Sequence, residues 1–268
     1  MNGVLRDIEI LGMDNTTGST GLLRKYIQIL ISFFEKEKLP SQGVIQDILS
    51  LTTDTFCGFI VFRHFTGHFK DAIDAGNGNF LQITKDYMGK WGDADKEAAG
   101  RAFDKLKPTG ETVLLHSHSS TLIRFVEHAV ARDIEFRIIQ TESRPACEGR
   151  MQAVAIAKMG IHADLIPEAD IPWAVASSAY CICGADIIHN DFVINKTGSL
   201  LIALTCRHFC KPFYIIADER KRSGTAMPLN ERQEMPGDEI WDNAPAKVKP
   251  VNRYFEAIPA GLITRVFT

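Results

Sequence analysis

Three short polar clusters hold the residues of this chain whose types and spacing could do chemistry. They are 116–120 (His-Ser-His-Ser-Ser), 141–145 (Thr-Glu-Ser-Arg-Pro) and the longer stretch 184–199. Each follows an apolar run and precedes a segment with helical spacing, so each lies at a predicted strand-to-helix junction. Free backbone N–H groups and the helix dipole favour negative charge at such a junction, which indicates an anionic ligand.

The cluster 184–199 is the most informative of the three. Lys196 supplies a positive charge and Asn195 a side-chain donor and acceptor. Asp186 and Asp191 supply carboxylates, and Asp186 also has a structural interpretation because it lies at the predicted strand end. The stretch contains neither the P-loop pattern nor the glycine fingerprint of dinucleotide-binding folds.

His116 next to Ser117 suggests nucleophilic catalysis by a hydrolase-like triad. Neighbouring residues on a strand point to opposite faces, and the G-x-S-x-G elbow is absent, so helix capping with ligand binding is the favoured interpretation.

Arg144 has two open interpretations. Its guanidinium could clamp a phosphate through two parallel hydrogen bonds, since it precedes Pro145 at a strand end. It could equally form a structural ion pair with Glu142 or Glu148.

The elements that must position these clusters change character near residues 107–110. Before this point the apolar spacing predicts helices, including 22–34, 43–70 and 92–107, with a loop at 74–79. After it, short apolar runs alternate with helical segments, and the run 180–188 reads as one strand. We therefore expect an α/β protein with an N-terminal helical domain, 1–107, and a Rossmann-like parallel-sheet domain, 108–268. The carboxyl ends of parallel strands lie at one edge of the sheet, so the three clusters would form one site.

Composition excludes several classes of function. The 268 residues carry 30 basic and 33 acidic side chains, a formal net charge of -3, so no direct nucleic-acid binding is expected. No apolar stretch is long enough for a membrane span, and residues 1–20 lack the pattern of a signal peptide. The six cysteines lack zinc-knuckle spacing; we expect free, buried thiols in the cytoplasm rather than a metal site, and no metal or cofactor.

The ordered combination of motifs resembles the translation initiation factor 2B alpha/beta/delta family. The residues that carry the resemblance are 141–145, 148–149, 184–186, 193–199, 211–214 and 252–264, with a weaker match at 18–25. That family includes regulatory subunits of the factor and two aldose–ketose isomerases, which act on methylthioribose-1-phosphate and ribose-1,5-bisphosphate. The resemblance implies a homodimer or higher homo-oligomer and a pocket for a phosphorylated sugar or nucleotide. The ligand-binding candidates it implies are Gly18, Ser19, Arg63, His116, Arg144, Asn195 and Lys196.

Two positions depart from the family's isomerases. Ser117 stands where they carry a cysteine, and Phe192 stands where they carry an aspartate, with Asp191 one residue away. A serine hydroxyl has too high a pKa to replace a tuned thiol unaided, and phenylalanine has no proton to transfer.

The leading hypothesis is therefore a family member that binds a sugar phosphate or nucleotide without the isomerase chemistry. The alternative is a phosphosugar isomerase related to ribose-1,5-bisphosphate isomerase, with Ser117, His118 and Asp191 as altered catalytic residues. A third hypothesis is a translation-factor subunit proper. The polar segment 220–249 is expected to form a surface loop, or a lid over the pocket, with Trp241 as its anchor.

Overall fold

The computed structural model describes residues 2–14, 17–224 and 234–268. The chain divides into two compact units, one ending at Ala94 and the other running from Asp95 to Thr268. The domain boundary expected at 107/108 lies after the helix Ala94–Leu106, whereas this division lies before almost all of it. The helix packs Ala98, Ala102 and Phe103 among the apolar side chains of the second unit, which explains the difference.

Helices form the first unit. They are α1 (Asn2–Gly12), α2 (Ser19–Lys36), α3 (Gln42–Thr55), α4 (Ile60–Asp74) and α5 (Phe80–Trp91). The prediction of one helix over 43–70 was wrong, because the helix ends after α3 and a new one, α4, begins at Ile60. Phe56, in the connection, stacks on Phe62 of α4 with ring centroids 4.0 Å apart. Helices α1 and α5 were not predicted from the apolar spacing. Asn79 begins α5, its side chain accepting a hydrogen bond of 3.1 Å from the Gln82 N–H.

The second unit alternates strands and helices. Its elements are α6 (Ala94–Leu106), β1 (Thr112–His116), α7 (Ser120–Val130), β2 (Arg137–Thr141), α8 (Glu148–Lys158), β3 (Ala163–Ile166), α9 (Ile171–Ser177), β4 (Tyr180–Cys183), β5 (Ile187–Ile188), β6 (Phe192–Lys196), α10 (Ser199–His208), β7 (Phe213–Ile216), β8 (Phe255–Pro259) and β9 (Arg265–Phe267).

Six parallel strands form the main sheet in the order β3-β2-β1-β4-β7-β9. Leaving out β5, β6 and β8, the strands follow the Rossmann order, which reverses direction between β1 and β4. This confirms the predicted fold class.

The other three strands form a small antiparallel sheet, β5-β6-β8. It corrects two expectations. The strand predicted over 180–188 is β4 and β5 in separate sheets. The polar residues before the helix, expected as a strand-to-helix junction, include strand β6, with Lys196 as its last residue.

Both faces of the main sheet are covered by apolar side chains. Val113 and Leu115 of β1 pack with α6 and α7 on one face, while Leu114 packs with α9 and α10 on the other. Cys181, Cys183 and Cys206 are buried, as expected, but Cys57 and Cys210 are exposed. Within the described ranges no three potential metal ligands cluster, and no helix is long and apolar enough to cross a bilayer.

Candidate functional site

The site lies at the carboxyl edge of the main sheet, where the strand order reverses. His116 ends β1 and is aligned with Cys183, which ends the neighbouring β4. Ser117 and His118 therefore follow one of these strands, and Asp186 follows the other. Ligands of doubly wound sheets bind in this crevice, so the topology brings two of the three polar clusters together.

Two serines in left-handed backbone conformation lie in the loops at this edge. Ser117 has φ of 63° and Ser143 has φ of 65°, which non-glycine residues adopt at a cost of about 1–3 kcal/mol. The Ser117 N–H donates to Ser143 Oγ at 2.9 Å. Gln140 donates to the Ser117 carbonyl at 3.1 Å and accepts from Gln152 at 2.8 Å. These buried bonds hold the strained turn in place.

His116 is fully buried, and both of its ring nitrogens are hydrogen-bonded. Nε2 lies 3.1 Å from the Thr197 carbonyl, so it carries the proton, and Nδ1 accepts from the Thr141 hydroxyl at 2.6 Å. Burial lowers the pKa of His116 to about 4. The neutral ring thus links β1 to β2 and to the loop after Lys196, and its nitrogens do not face the crevice.

A buried ion pair forms the centre of the site. Lys196 Nζ lies 3.0 Å from Glu148 Oε1, with the two side chains only 6% and 16% exposed. The Ser117 hydroxyl donates to the same oxygen at 3.0 Å. We call Lys196, Glu148, Ser117 and His118 the Lys196 cluster.

From the sequence, Glu148 was expected as a possible ion-pair partner of Arg144 and as part of the family motif at 148–149, but not as a site residue. The detectable signal is the following glycine: a Cβ on Gly149 would lie 1.9 Å from the Thr141 carbonyl oxygen. Only glycine lets α8 begin this close to the end of β2, and that approach carries Glu148, the first residue of α8, into the crevice.

Two polar atoms of the Lys196 cluster are buried without a hydrogen bond. Glu148 Oε2 and His118 Nδ1 have no partner among the residues that the structure describes. Burial lowers the pKa of His118, and the nearby Glu148 carboxylate opposes that shift. Buried polar atoms normally have partners, so these two indicate where a ligand would bind.

Asp186 is a second carboxyl group at this edge. Burial raises its pKa, while Lys221 and Lys196 counteract the shift. Lys221 is itself buried and donates to the Ala185 carbonyl at 2.5 Å. The crevice thus combines two cationic and two acidic side chains, which leaves little net positive charge for a phosphate.

The α10 N-terminus is closed by the protein's own carboxylate. Glu256 Oε1 of β8 accepts from the Gly198 N–H at 2.7 Å and the Leu200 N–H at 2.8 Å. The expected anion site at this helix start is therefore filled by an internal acceptor. Asn195 is also turned inward, donating to Ser199 Oγ at 2.8 Å.

The segment before β8 covers Lys196 from the other side. Lys196 Nζ lies 4.1 Å from the centre of the Tyr254 ring. The Tyr254 hydroxyl donates to Glu239 at 2.5 Å, and Asn252 donates to the same carboxylate at 2.7 Å. Trp241, the expected anchor, is half exposed. Residues 225–233 of the segment expected to form a loop or lid lie outside the described residues.

Two predicted site residues lie apart from the cluster. Asp191 is 85% exposed, and its carboxylate lies 3.5 Å from His189, whose ring stacks on Phe192. The Arg144 guanidinium is half exposed and 3.9 Å from Glu142, which is bonded mainly to Arg150.

The remaining candidates belong to the first unit. Gly18 precedes α2, and the Ser19 and Thr20 hydroxyls at its start are buried without a partner in the described part of the chain. Arg63 is exposed and donates to the Cys57 carbonyl at 3.4 Å.

Comparisons with known proteins agree with this architecture. A model of the initiation factor 2 subunit family matches residues 69–268. A relative from Pyrococcus horikoshii, named an eIF-2B subunit 2-like protein, is 35% identical over 48% of this chain and 49% of its own length. Ribose 1,5-bisphosphate isomerase of Archaeoglobus fulgidus is 23% identical over 100% of this chain and 88% of its own.

A crystal structure of Pyrococcus horikoshii eIF-2B superposes with a TM-score of 0.81 at 22% identity, covering 99% of this chain and 94% of that one. The first of these relatives is thus matched over about half of its length, whereas the fold likeness extends over nearly all of the chain. Because the family model matches well over half of the residues, the chain belongs to the initiation factor 2 subunit family.

Proposed function

We propose that this chain binds a phosphorylated sugar or nucleotide at the Lys196 cluster and lacks the isomerase chemistry found in part of its family. The observation that carries the proposal is the combination of a buried lysine, a buried carboxylate and two unpartnered polar atoms around Ser117. Ser117 occupies the position where the resemblance implies a catalytic thiol in the isomerases, and Lys196 and Glu148 lie around it.

Ser117 and Phe192, the two positions that depart from the family's isomerases, support the loss of isomerase chemistry. Moving a proton between adjacent carbons needs a group that can gain and lose it near neutral pH. The Ser117 hydroxyl is instead a hydrogen-bond donor to Glu148. Phe192 has no exchangeable proton, and the adjacent Asp191 is exposed to solvent.

The phosphate end of the ligand requires positive charge or free N–H donors. Lys196 is already neutralised by Glu148. The better candidate is the half-exposed guanidinium of Arg144, because Arg144 directly follows Ser143, whose hydroxyl accepts from the Ser117 N–H. The start of α2, where Ser19 and Thr20 carry unpartnered hydroxyls, is a second anion-binding candidate within the first unit.

Binding can be tested by titration calorimetry of the full chain with ribose-5-phosphate, ribose-1,5-bisphosphate and nucleoside monophosphates. Arg144→Gln should weaken binding by about tenfold, the value of a lost charged hydrogen bond. Arg150→Gln is the matched control because this arginine is equally exposed and contacts the same Glu142. A folded protein that binds none of these compounds would refute the proposal.

A phosphosugar isomerase with altered catalytic residues is the second candidate. Asp186 favours it, because a carboxyl whose pKa burial raises can serve as a general acid. Conversion of an aldose to a ketose phosphate, followed by NMR, would support this activity if Asp186→Asn abolishes it while Asp191→Asn does not. A further proposal, a role as a translation-factor subunit, predicts co-purification with subunits of initiation factor 2.

We also propose a homodimer or higher homo-oligomer in the cytoplasm. In support, α9 and α10 present exposed apolar side chains, with Trp173 57%, Leu201 44% and Leu204 51% exposed. Replacing Leu204 by Glu should shift the mass measured by light scattering towards the monomer. An unchanged mass would exclude this surface as the contact.

A further inference from the structure

The two unpartnered atoms of the Lys196 cluster allow a finer statement about the ligand. Glu148 Oε1 is occupied by Lys196 and Ser117, each at 3.0 Å, whereas Oε2 is buried without a partner in the described ranges. His118 Nδ1 is likewise buried without a partner in the described ranges, and the charge of the nearby Glu148 carboxylate acts to raise the pKa of the His118 ring. Two atoms of adjacent groups therefore lack the hydrogen bonds that buried polar atoms normally make.

The chemistry of these atoms excludes a phosphate as their partner. An ionised carboxylate is an acceptor only, so Oε2 needs a donor and repels an anion. The His118 ring is kept neutral by burial, so it contributes no positive charge. Lys196 cannot compensate, because its Nζ is held by Glu148 and by the face of Tyr254.

We propose that Glu148 and His118 bind neighbouring hydroxyl groups of the ligand, so that the Lys196 cluster recognises the sugar and not the phosphate. A hydroxyl suits both atoms: it donates to Glu148 Oε2, and it either donates to His118 Nδ1 or accepts from it. The ligand class is then a polyhydroxylated phosphate ester with its phosphate directed away from Lys196. This inference rests on the proposed function, because it concerns the same site.

The test compares two phosphate esters that differ in their hydroxyls. Calorimetry would measure the dissociation constants of ribose-5-phosphate and of ethyl phosphate, which has the phosphate but no hydroxyl. In the unchanged full chain we expect ribose-5-phosphate to bind at least tenfold more tightly, since a hydrogen bond to a charged group contributes about this much. In Glu148→Gln this ratio should fall towards one, while ethyl phosphate binds more tightly because a repelling charge is gone.

Glu142→Gln is the matched control. Its carboxylate is as buried as that of Glu148, 17% against 16% exposed, and it also bonds a cationic side chain. Glu142→Gln removes one negative charge, as Glu148→Gln does, but six residues away. Any change it causes in phosphate binding by Arg144 affects both esters alike, so the ratio of their dissociation constants should stay unchanged. Circular dichroism of both variants verifies that they fold.

The outcomes separate the two proposals. If the unchanged chain binds neither ester, nor ribose-1,5-bisphosphate, nor any nucleoside monophosphate, the proposed function fails and the inference fails with it. If it binds both esters but the ratio in Glu148→Gln stays as in the unchanged chain, only the hydroxyl-binding role is overturned. If both variants lower the ratio equally, the effect is one of general charge, and the role of Glu148 is likewise overturned. His118→Ala should lower the ratio in the same direction as Glu148→Gln.

Discussion

Replacing Lys196 by Met should destabilise the second unit strongly, because it leaves a carboxylate buried beside an apolar side chain. Lys196 and Glu148 approach to 3.0 Å. At an effective dielectric constant of about 20, two unit charges at this distance attract by about 5.5 kcal/mol. Desolvation of both groups offsets much of that attraction, yet removing one partner typically costs about 3–5 kcal/mol.

We expect the lower part of this range, about 3 kcal/mol, because Glu148 keeps its bond with Ser117 and is still 16% exposed. Adding Glu148→Gln to the lysine variant removes the orphaned charge, so the double variant should recover about 2 kcal/mol of the loss. The recovery is the sharper part of the prediction, since two damaging changes would normally add.

Urea unfolding followed by circular dichroism would measure these differences. Lys249→Met is the control in the same unit: its Nζ lies 2.6 Å from Glu234, closer than the buried pair, but the two side chains are 72% and 47% exposed. We expect no measurable change there, because solvent screens exposed pairs. The reasoning is refuted if the two lysine variants lose the same stability, or if the double variant is no more stable than Lys196→Met.

Three further predictions follow from individual contacts. Burial lowers the pKa of His116 to about 4 in the folded state, so its neutral ring contributes fully to the free energy of unfolding above pH 6.5. That contribution falls by about 3 kcal/mol as the pH drops through 4, and the slope of unfolding free energy against pH should therefore be smaller in His116→Gln. Gly198→Ala should cost about 1–3 kcal/mol, since its Cβ would lie 2.7 Å from His116 and its φ is 109°, whereas Gly261→Ala, with open space around it, should leave the melting temperature unchanged. Tyr254→Phe keeps the ring against the buried lysine but loses the hydroxyl contact with Glu239, so amide exchange around Glu239 should speed up about tenfold; equal exchange rates would show that this contact is dispensable.

The parallel sheet could be predicted because its strands are buried on both faces. Runs such as Thr112–His116 and Phe213–Ile216 are mainly apolar, and the helical spacing between such runs requires crossover connections. Strand β6 could not be recognised in the same way. Its last two residues, Asn195 and Lys196, are polar because they belong to the site, and its antiparallel partner β8 is far away in the sequence.

Part of the site could likewise be predicted from local patterns, and part depends on distant contacts. Ser117, His118 and Lys196 follow or end strands, and the rule that ligands bind at the carboxyl edge was enough to group them. Glu148 was not expected in the site, and Asp186 had a structural interpretation beside the functional one, because the roles of both depend on burial and on charges brought in by other elements. Asp191 is the last residue of the β5–β6 connection, and the neighbouring Phe192 begins β6. Only the register of that hairpin decides which of the two side chains is exposed.

The carboxylate of Glu256 that closes α10 has a consequence for the order of folding. Its two N–H partners lie 58 and 56 residues earlier in the chain, at the start of α10. Contacts over such separations form late, because the loop they close must first lose its conformational entropy. During synthesis α10 would thus leave the ribosome with its first N–H groups hydrated, and the crevice would gain its final shape only after β8 has paired with β6.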